Sequence, residues 1–167
     1  MKVFGIAGWS GSGKTTLLVR LIPELTRRGL TVSTCKHAHH NFDVDTPGKD
    51  SYEHRVAGAR QVMIVSGKRW ALMHELRDEP EPDFDQALKQ MAEVDLVLVE
   101  GFKKHPHDKL EVHRKDNGSA CLWPDDPHVV AVASDVPLPD LDRPRLDVNN
   151  IAAIADFIVA HCHLKPD

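Results

Sequence analysis

Eight residues near the start of the chain, Gly8-Trp9-Ser10-Gly11-Ser12-Gly13-Lys14-Thr15, have the types and the G-x-x-x-x-G-K-[ST] spacing of a loop that holds a phosphate chain. Glycines at this spacing let successive backbone N–H groups turn inward around an anion. A helix that begins at the end of the loop adds its own N–H groups and the positive end of its dipole. The Lys14 ammonium is then within reach of β- and γ-phosphates, and the Thr15 hydroxyl is a ligand for Mg²⁺. Gly8, Ser10, Gly11, Ser12, Gly13 and Thr16 complete the expected nucleotide contacts.

Further residues bear on the same chemistry. Glu100 closes the apolar run Val94 to Val99, where a carboxylate either holds Mg²⁺ or faces water in a turn; behind a phosphate loop we read it as the metal carboxylate. Asp50 has two readings that stay open, a ligand in the metal's water shell and the start of a helix. Lys36 lies near phosphates or a partner's anion, or faces water at a strand end. His37, His39 and His40 form a dense histidine group, but no thiolate pair completes a tetrahedral zinc set. They read as contacts to a partner or a ligand. GTPases usually carry N-K-x-D, whose aspartate accepts hydrogen bonds from guanine. No full copy exists here, and only Asp135, after Val129-Val130-Ala131-Val132-Ala133-Ser134, stands where that residue falls; it is a base contact or an ordinary turn residue.

These side chains need a frame. Lys2 to Ala7 reads as a strand leading into the loop, Leu17, Leu18, Leu21, Ile22 and Leu25 recur at helical spacing to about Arg28, and Leu30 to Lys36 reads as a buried strand. Together they predict a β-loop-α-β unit with parallel strands. Asp50-Ser51-Tyr52-Glu53 predicts a capped helix ending near Gly58, and Asp83-Phe84-Asp85-Gln86 caps another ending near Ala92. Gln61–Ser66 and Arg69–Leu76 read as a hairpin whose continuous apolar residues imply burial on both faces. A second hairpin is expected from Lys109–His113 and Ala120–Trp123 around Asn117-Gly118, Val129–Ala133 is expected as the last strand, and Asp147–Asn150 caps a final helix. The fold class is therefore α/β, a phosphate-loop NTPase-like, mostly parallel sheet flanked by helices, with an added hairpin at 61–76.

Composition sets the bounds. At 167 residues, 41% of them hydrophobic, the chain suits a single nucleotide-binding domain with a real core. A net charge of −4 without clustered Lys and Arg excludes a general nucleic-acid binder. No leader or membrane-length apolar run is evident, and three cysteines without a C-x-x-C pair suit a reducing compartment, so a cytoplasmic protein is expected.

Beyond the phosphate loop, the segments Lys36 to His40, Asp45-Thr46-Pro47-Gly48-Lys49-Asp50-Ser51, His54-Arg55-Val56-Ala57-Gly58-Ala59 and Asp95 to Lys103 resemble the molybdopterin-guanine dinucleotide biosynthesis adapter family, MobB. The resemblance spans nearly the whole chain. It implies a GTP- and Mg²⁺-binding homodimer that assists the guanylyltransferase joining GMP to molybdopterin; the 61–76 hairpin is the expected dimerisation element because its continuous apolar residues and Trp70 exceed what one small sheet needs to bury. Guanine preference rests on the resemblance, because N-K-x-D is missing. Two other classes compete: an ATP-dependent kinase or ligase resembling dethiobiotin synthetase, echoed by Val99-Glu100-Gly101, and a metal-insertion GTPase, suggested by the histidines. Hydrolysis is expected to be slow, since Gln61, Gln86 and Gln90 fall away from the ligand edge. Arg20, Arg27 and Arg28 point away on the first helix, so an arginine finger would come from another chain.

Overall fold

The computed structural model describes residues 1–38, 42–102 and 105–166. In chain order the elements are β1 (Lys2–Ala7), α1 (Lys14–Arg27), β2 (Val32–Lys36), α2 (Asp50–Val56), β3 (Gln61–Val65), β4 (Trp70–His74), α3 (Phe84–Leu88), β5 (Leu96–Glu100), β6 (Lys109–His113), β7 (Val129–Ser134), β8 (Arg145–Asp147) and α4 (Ile151–His161). They divide into two compact units, Met1–His37 with Leu88–Asp167, and Ala38–Ala87.

The larger unit is a six-stranded sheet in the order β2-β5-β1-β6-β7-β8, every neighbouring pair parallel. Apolar residues two apart on each strand turn to one face: Phe4 and Ile6, Leu96 and Leu98, Leu110 and Val112, Ala131 and Ala133. Against that face lie the stripe Leu17, Leu18, Leu21 and Leu25 of α1 and Ile154, Ala155 and Ile158 of α4. Each large buried side chain in this layer contributes roughly 1.5–3 kcal/mol of apolar burial. β5 is buried on both faces through Val99, which is why it reads as an unbroken apolar run. Asn150 starts α4 as expected, its side chain accepting from the Ala153 N–H at 3.1 Å. No helix among the described residues is long and apolar enough to cross a membrane.

The expected hairpin around Asn117-Gly118 does not form. Lys109–His113 is instead a parallel strand between β1 and β7, and the chain after it laps back over β6. The Leu122 and Trp123 N–H groups donate to the Glu111 carboxylate, at 2.7 and 3.0 Å, rather than to a strand. Burial pushes the Glu111 carboxyl up, against the effect of these two bonds. The buried Lys109 ammonium meets Asp126 at 3.0 Å. Nor is β7 the last strand: three residues after the proline-containing loop add β8 in parallel.

In the smaller unit β3 and β4 pair antiparallel, as the hairpin reading requires. Within one chain the second face stays uncovered: Val62 is buried, but Met63, Val65 and Trp70 are 59%, 69% and 63% exposed. A two-stranded sheet has too little backbone to cover its own apolar side chains. Asp50 is the first residue of α2; the cap position belongs to Lys49, which makes no side-chain cap bond. Asp83 and Gln86 exchange bonds of 2.8 and 2.9 Å as a capping box, though α3 stops at Leu88, short of Ala92. Arg55 gathers Asp43 and Asp45 at 2.8 and 2.9 Å, which gives the acidic loop before α2 a structural task.

Candidate functional site

The loop takes the shape its glycines permit. Gly8, Gly11 and Gly13 have φ of 138°, 77° and 93°. At Gly8 the requirement is also one of space, because a Cβ there would lie 2.6 Å from the Val112 carbonyl oxygen and the Ser12 Oγ. Gly13 precedes α1 in the left-handed conformation; no side chain caps the helix, and its first turn holds no acid. The first N–H groups of α1 therefore face outward as an anion site. Ser12 Oγ is buried beside Gly8 and has no hydrogen-bond partner among the described residues, a donor suited to an oxyanion. The Lys14 ammonium folds back onto the loop, donating to Gly8 O at 3.0 Å and Trp9 O at 2.8 Å. Thr15 and Thr16 lie exposed in the first turn.

Glu100 comes to the same edge through sheet register. It stands opposite Ile6 of β1 on one side and Lys36 of β2 on the other. That register puts its carboxylate on the α1 face at the C-terminal tip, where α/β sheets hold ligands. The carboxylate is mostly buried and lies 3.8 Å from the Lys36 Nζ. Glu100 and the Thr15 hydroxyl are hard oxygen donors, the kind Mg²⁺ takes while keeping most of its water.

The other predicted residues distribute as follows. The His37 N–H donates to Glu100 O at 2.8 Å, and its ring lies 4.7 Å from that of Phe102. Gly101 leaves room for His37, whose Cβ would be 2.6 Å from a side chain there. His39 and His40 lie outside the described residues. Among the described residues no group of three His, Cys, Asp or Glu is placed to hold a metal ion. Asp50 belongs to the smaller unit. Asp135 follows β7 directly, its Oδ1 accepting from the Lys115 N–H at 3.1 Å.

The segment after β6 carries residues that sequence reading passed over. Arg20, Arg27 and Arg28 do engage groups away from the loop, namely Asn149 O, Glu24 and Asp156. Yet an arginine of this chain does reach the loop. A Cβ built on Gly13 would stand 3.2 Å from the Arg114 Nε, and the same guanidinium lies 3.6 Å from Asp135 Oδ2. Asn117 Nδ2 donates to Ser10 O at 2.8 Å, and Trp9 Nε1 to Ala120 O at 2.7 Å. Reading Lys109–His113 as a parallel strand would have exposed this signal, since the residue beyond its tip then faces the loop beyond β1.

On the opposite face of β1, a cavity of about 220 Å³ is bounded by Gly5, Ala7, Trp9, His107, Lys109 and Asp126. The His107 ring packs onto Gly5, where a Cβ would meet its Nε2 at 2.6 Å. Burial, aided by the Lys109 ammonium and the nearby His105, pushes the His107 imidazole down to about 4.

With this geometry in hand, residues 3–135 match the family model described as MobB, molybdopterin guanine dinucleotide synthesis protein B. The chain is 48% identical to the molybdopterin-guanine dinucleotide biosynthesis adapter protein of Escherichia coli K12, over 94% of this chain and 91% of that one. It is 46% identical to the protein of the same description from Haemophilus influenzae, over 96% and 89%. A crystal structure described as molybdopterin-guanine biosynthesis protein B superposes with a TM-score of 0.76 at 28% identity, covering 95% of this chain and 99% of that one.

Proposed function

We propose, from the premise that this chain belongs to the MobB family of molybdopterin guanine dinucleotide synthesis proteins, that it is a GTP-dependent adapter in the cytoplasm acting on the guanylyltransferase of that synthesis. The family makes it an adapter in molybdopterin guanine dinucleotide biosynthesis and a phosphate-loop protein. What supports a nucleoside triphosphate as the ligand is one observation above the rest, an uncapped α1 N-terminus inside the Gly8–Thr15 loop, with Glu100 held at the neighbouring strand tip; the choice of GTP rests on the family. In this reading the loop N–H groups and Lys14 cradle the β- and γ-phosphates, and Asp135 accepts from guanine. Thr15 and Glu100 would hold Mg²⁺, which would supply positive charge to neutralise the phosphates.

Nothing in that set orients an attacking water, so turnover by the pure protein is expected at ~10⁻⁴ to 10⁻² s⁻¹. Binding rather than hydrolysis then defines the active state. The test is a titration of GTP against ATP, with and without Mg²⁺, together with the turnover rate. Tighter binding of GTP that needs Mg²⁺ is the expected result; equal or better ATP binding, or turnover above ~1 s⁻¹, would replace the adapter with an enzyme.

The β3–β4 hairpin supports a homodimer. Two strands alone are marginal in water, and Met63, Ile64, Val65, Trp70 and Leu72 present apolar surface beside strand edges without a strand partner among the described residues. A second copy about a two-fold axis extends the sheet and covers the patch. Sedimentation at micromolar concentration is expected to give a dimer, and Trp70→Lys to shift it towards monomer. A monomeric wild type would refute this.

A further inference from the structure

We propose that Arg114 couples the phosphate end of the nucleotide site to its base end, by leaving Asp135 for the phosphates when a nucleotide binds. The inference rests on the nucleotide reading above and adds to it an order of events. It follows from where one guanidinium sits. β6 pairs with β1 through Ala7 and Glu111, so the residue three beyond Glu111 emerges beside the loop that follows Ala7. Arg114 is extended, at φ −131° and ψ 136°, and opens the short turn Lys115–Asn117. Its side chain crosses Gly13 at the mouth of α1 and ends 3.6 Å from Asp135 Oδ2.

That last distance is longer than a hydrogen bond, so the pair is a loose ion pair between partly exposed groups. A phosphate at the α1 N-terminus offers the same guanidinium a bidentate, charge-assisted contact at hydrogen-bond length. The stronger contact wins, and the guanidinium moves onto the phosphate. Asp135 then loses its cation but keeps its backbone anchor, the Lys115 N–H at 3.1 Å on Oδ1. Oδ2 is released, still held in position, as an acceptor for the N–H edge of guanine. The anchoring segment is itself tied to the loop by Asn117 on Ser10 O, so loop and base contact stay in register.

The consequence has opposite signs for two ligands. Guanosine, which has no phosphate, must displace Arg114 from Asp135 by itself, whereas GTP displaces it through its phosphates. Arg114→Ala in the full chain is therefore expected to weaken GTP about tenfold and to tighten guanosine about threefold, read by competition against a fluorescent GTP analogue. In Arg114→Ala/Asp135→Asn the guanosine gain should vanish. Arg114→Lys, which keeps the charge and loses the fork, should fall between wild type and alanine for GTP. It also serves as the test variant if Arg114→Ala is unfolded by circular dichroism. A merely structural arginine would weaken both ligands together, and that result overturns the proposal, as does unchanged GTP affinity in a folded variant. A wild type that binds GTP while either of these holds leaves the nucleotide reading intact; a wild type that binds neither ligand removes both.

Discussion

Replacing Lys14 with alanine is expected to weaken GTP binding about 30-fold or more while the protein stays folded. The ammonium donates to carbonyl oxygens of its own loop, Gly8 O and Trp9 O. On binding it exchanges these neutral acceptors for phosphate oxygens, and such charge-assisted bonds are worth about 2 kcal/mol or more, which is about 30-fold in affinity. The folded state loses little, because Lys14 lies outside the apolar layer of α1 that begins at Leu17. Its removal should change stability by no more than about 0.5 kcal/mol. Calorimetric titration of GTP beside a denaturant melt separates the two effects. Wild-type affinity in the folded variant would falsify the assignment of the loop as the phosphate site.

The second large effect is on stability as the pH falls. His107 is buried on Gly5 beside the Lys109 ammonium and His105, with Asp126 and His128 also near, and these surroundings hold its imidazole at about 4 against an ordinary 6.5. Between those values the unfolded chain binds a proton that the folded chain refuses, so stability rises with pH across this window and is lost on acidification. Its full value is present above 6.5. At 1.36 kcal/mol per pH unit, the loss from this group between pH 7.5 and 4.5 is about 2.5 kcal/mol. His107→Gln carries no charge at either pH and should melt with a correspondingly flatter pH dependence. Parallel urea melts at the two pH values measure the difference, and identical slopes for both proteins would assign the acid sensitivity to other groups.

Much of this molecule is legible in the sequence because the signals are local. Glycine, lysine and threonine at fixed offsets specify the phosphate loop, since the φ values of Gly8, Gly11 and Gly13 and the start of α1 are set within eight residues. The apolar run ending in Glu100 announces β5, because a strand buried on both faces leaves no polar position except its tip. The Gln61–Leu76 hairpin is equally local, its turn at Ser66-Gly67-Lys68 setting the register of β3 on β4.

What only the tertiary structure decides is the pairing of segments far apart in the chain. Lys-Leu-Glu-Val-His alternates polar and apolar residues, the pattern of a strand with one wet face, and by itself reads as half of a hairpin. In the fold that polar face is buried: Asp126 neutralises Lys109, and the N–H groups of Leu122 and Trp123 satisfy Glu111. A charged residue's partners can lie anywhere in the chain, so the alternation could not show that the strand belongs in the middle of a parallel sheet. The position of Arg114 follows from that placement alone. It lies about a hundred residues from Gly13 in sequence and against it in space, because β6 pairs with the strand from which the phosphate loop springs.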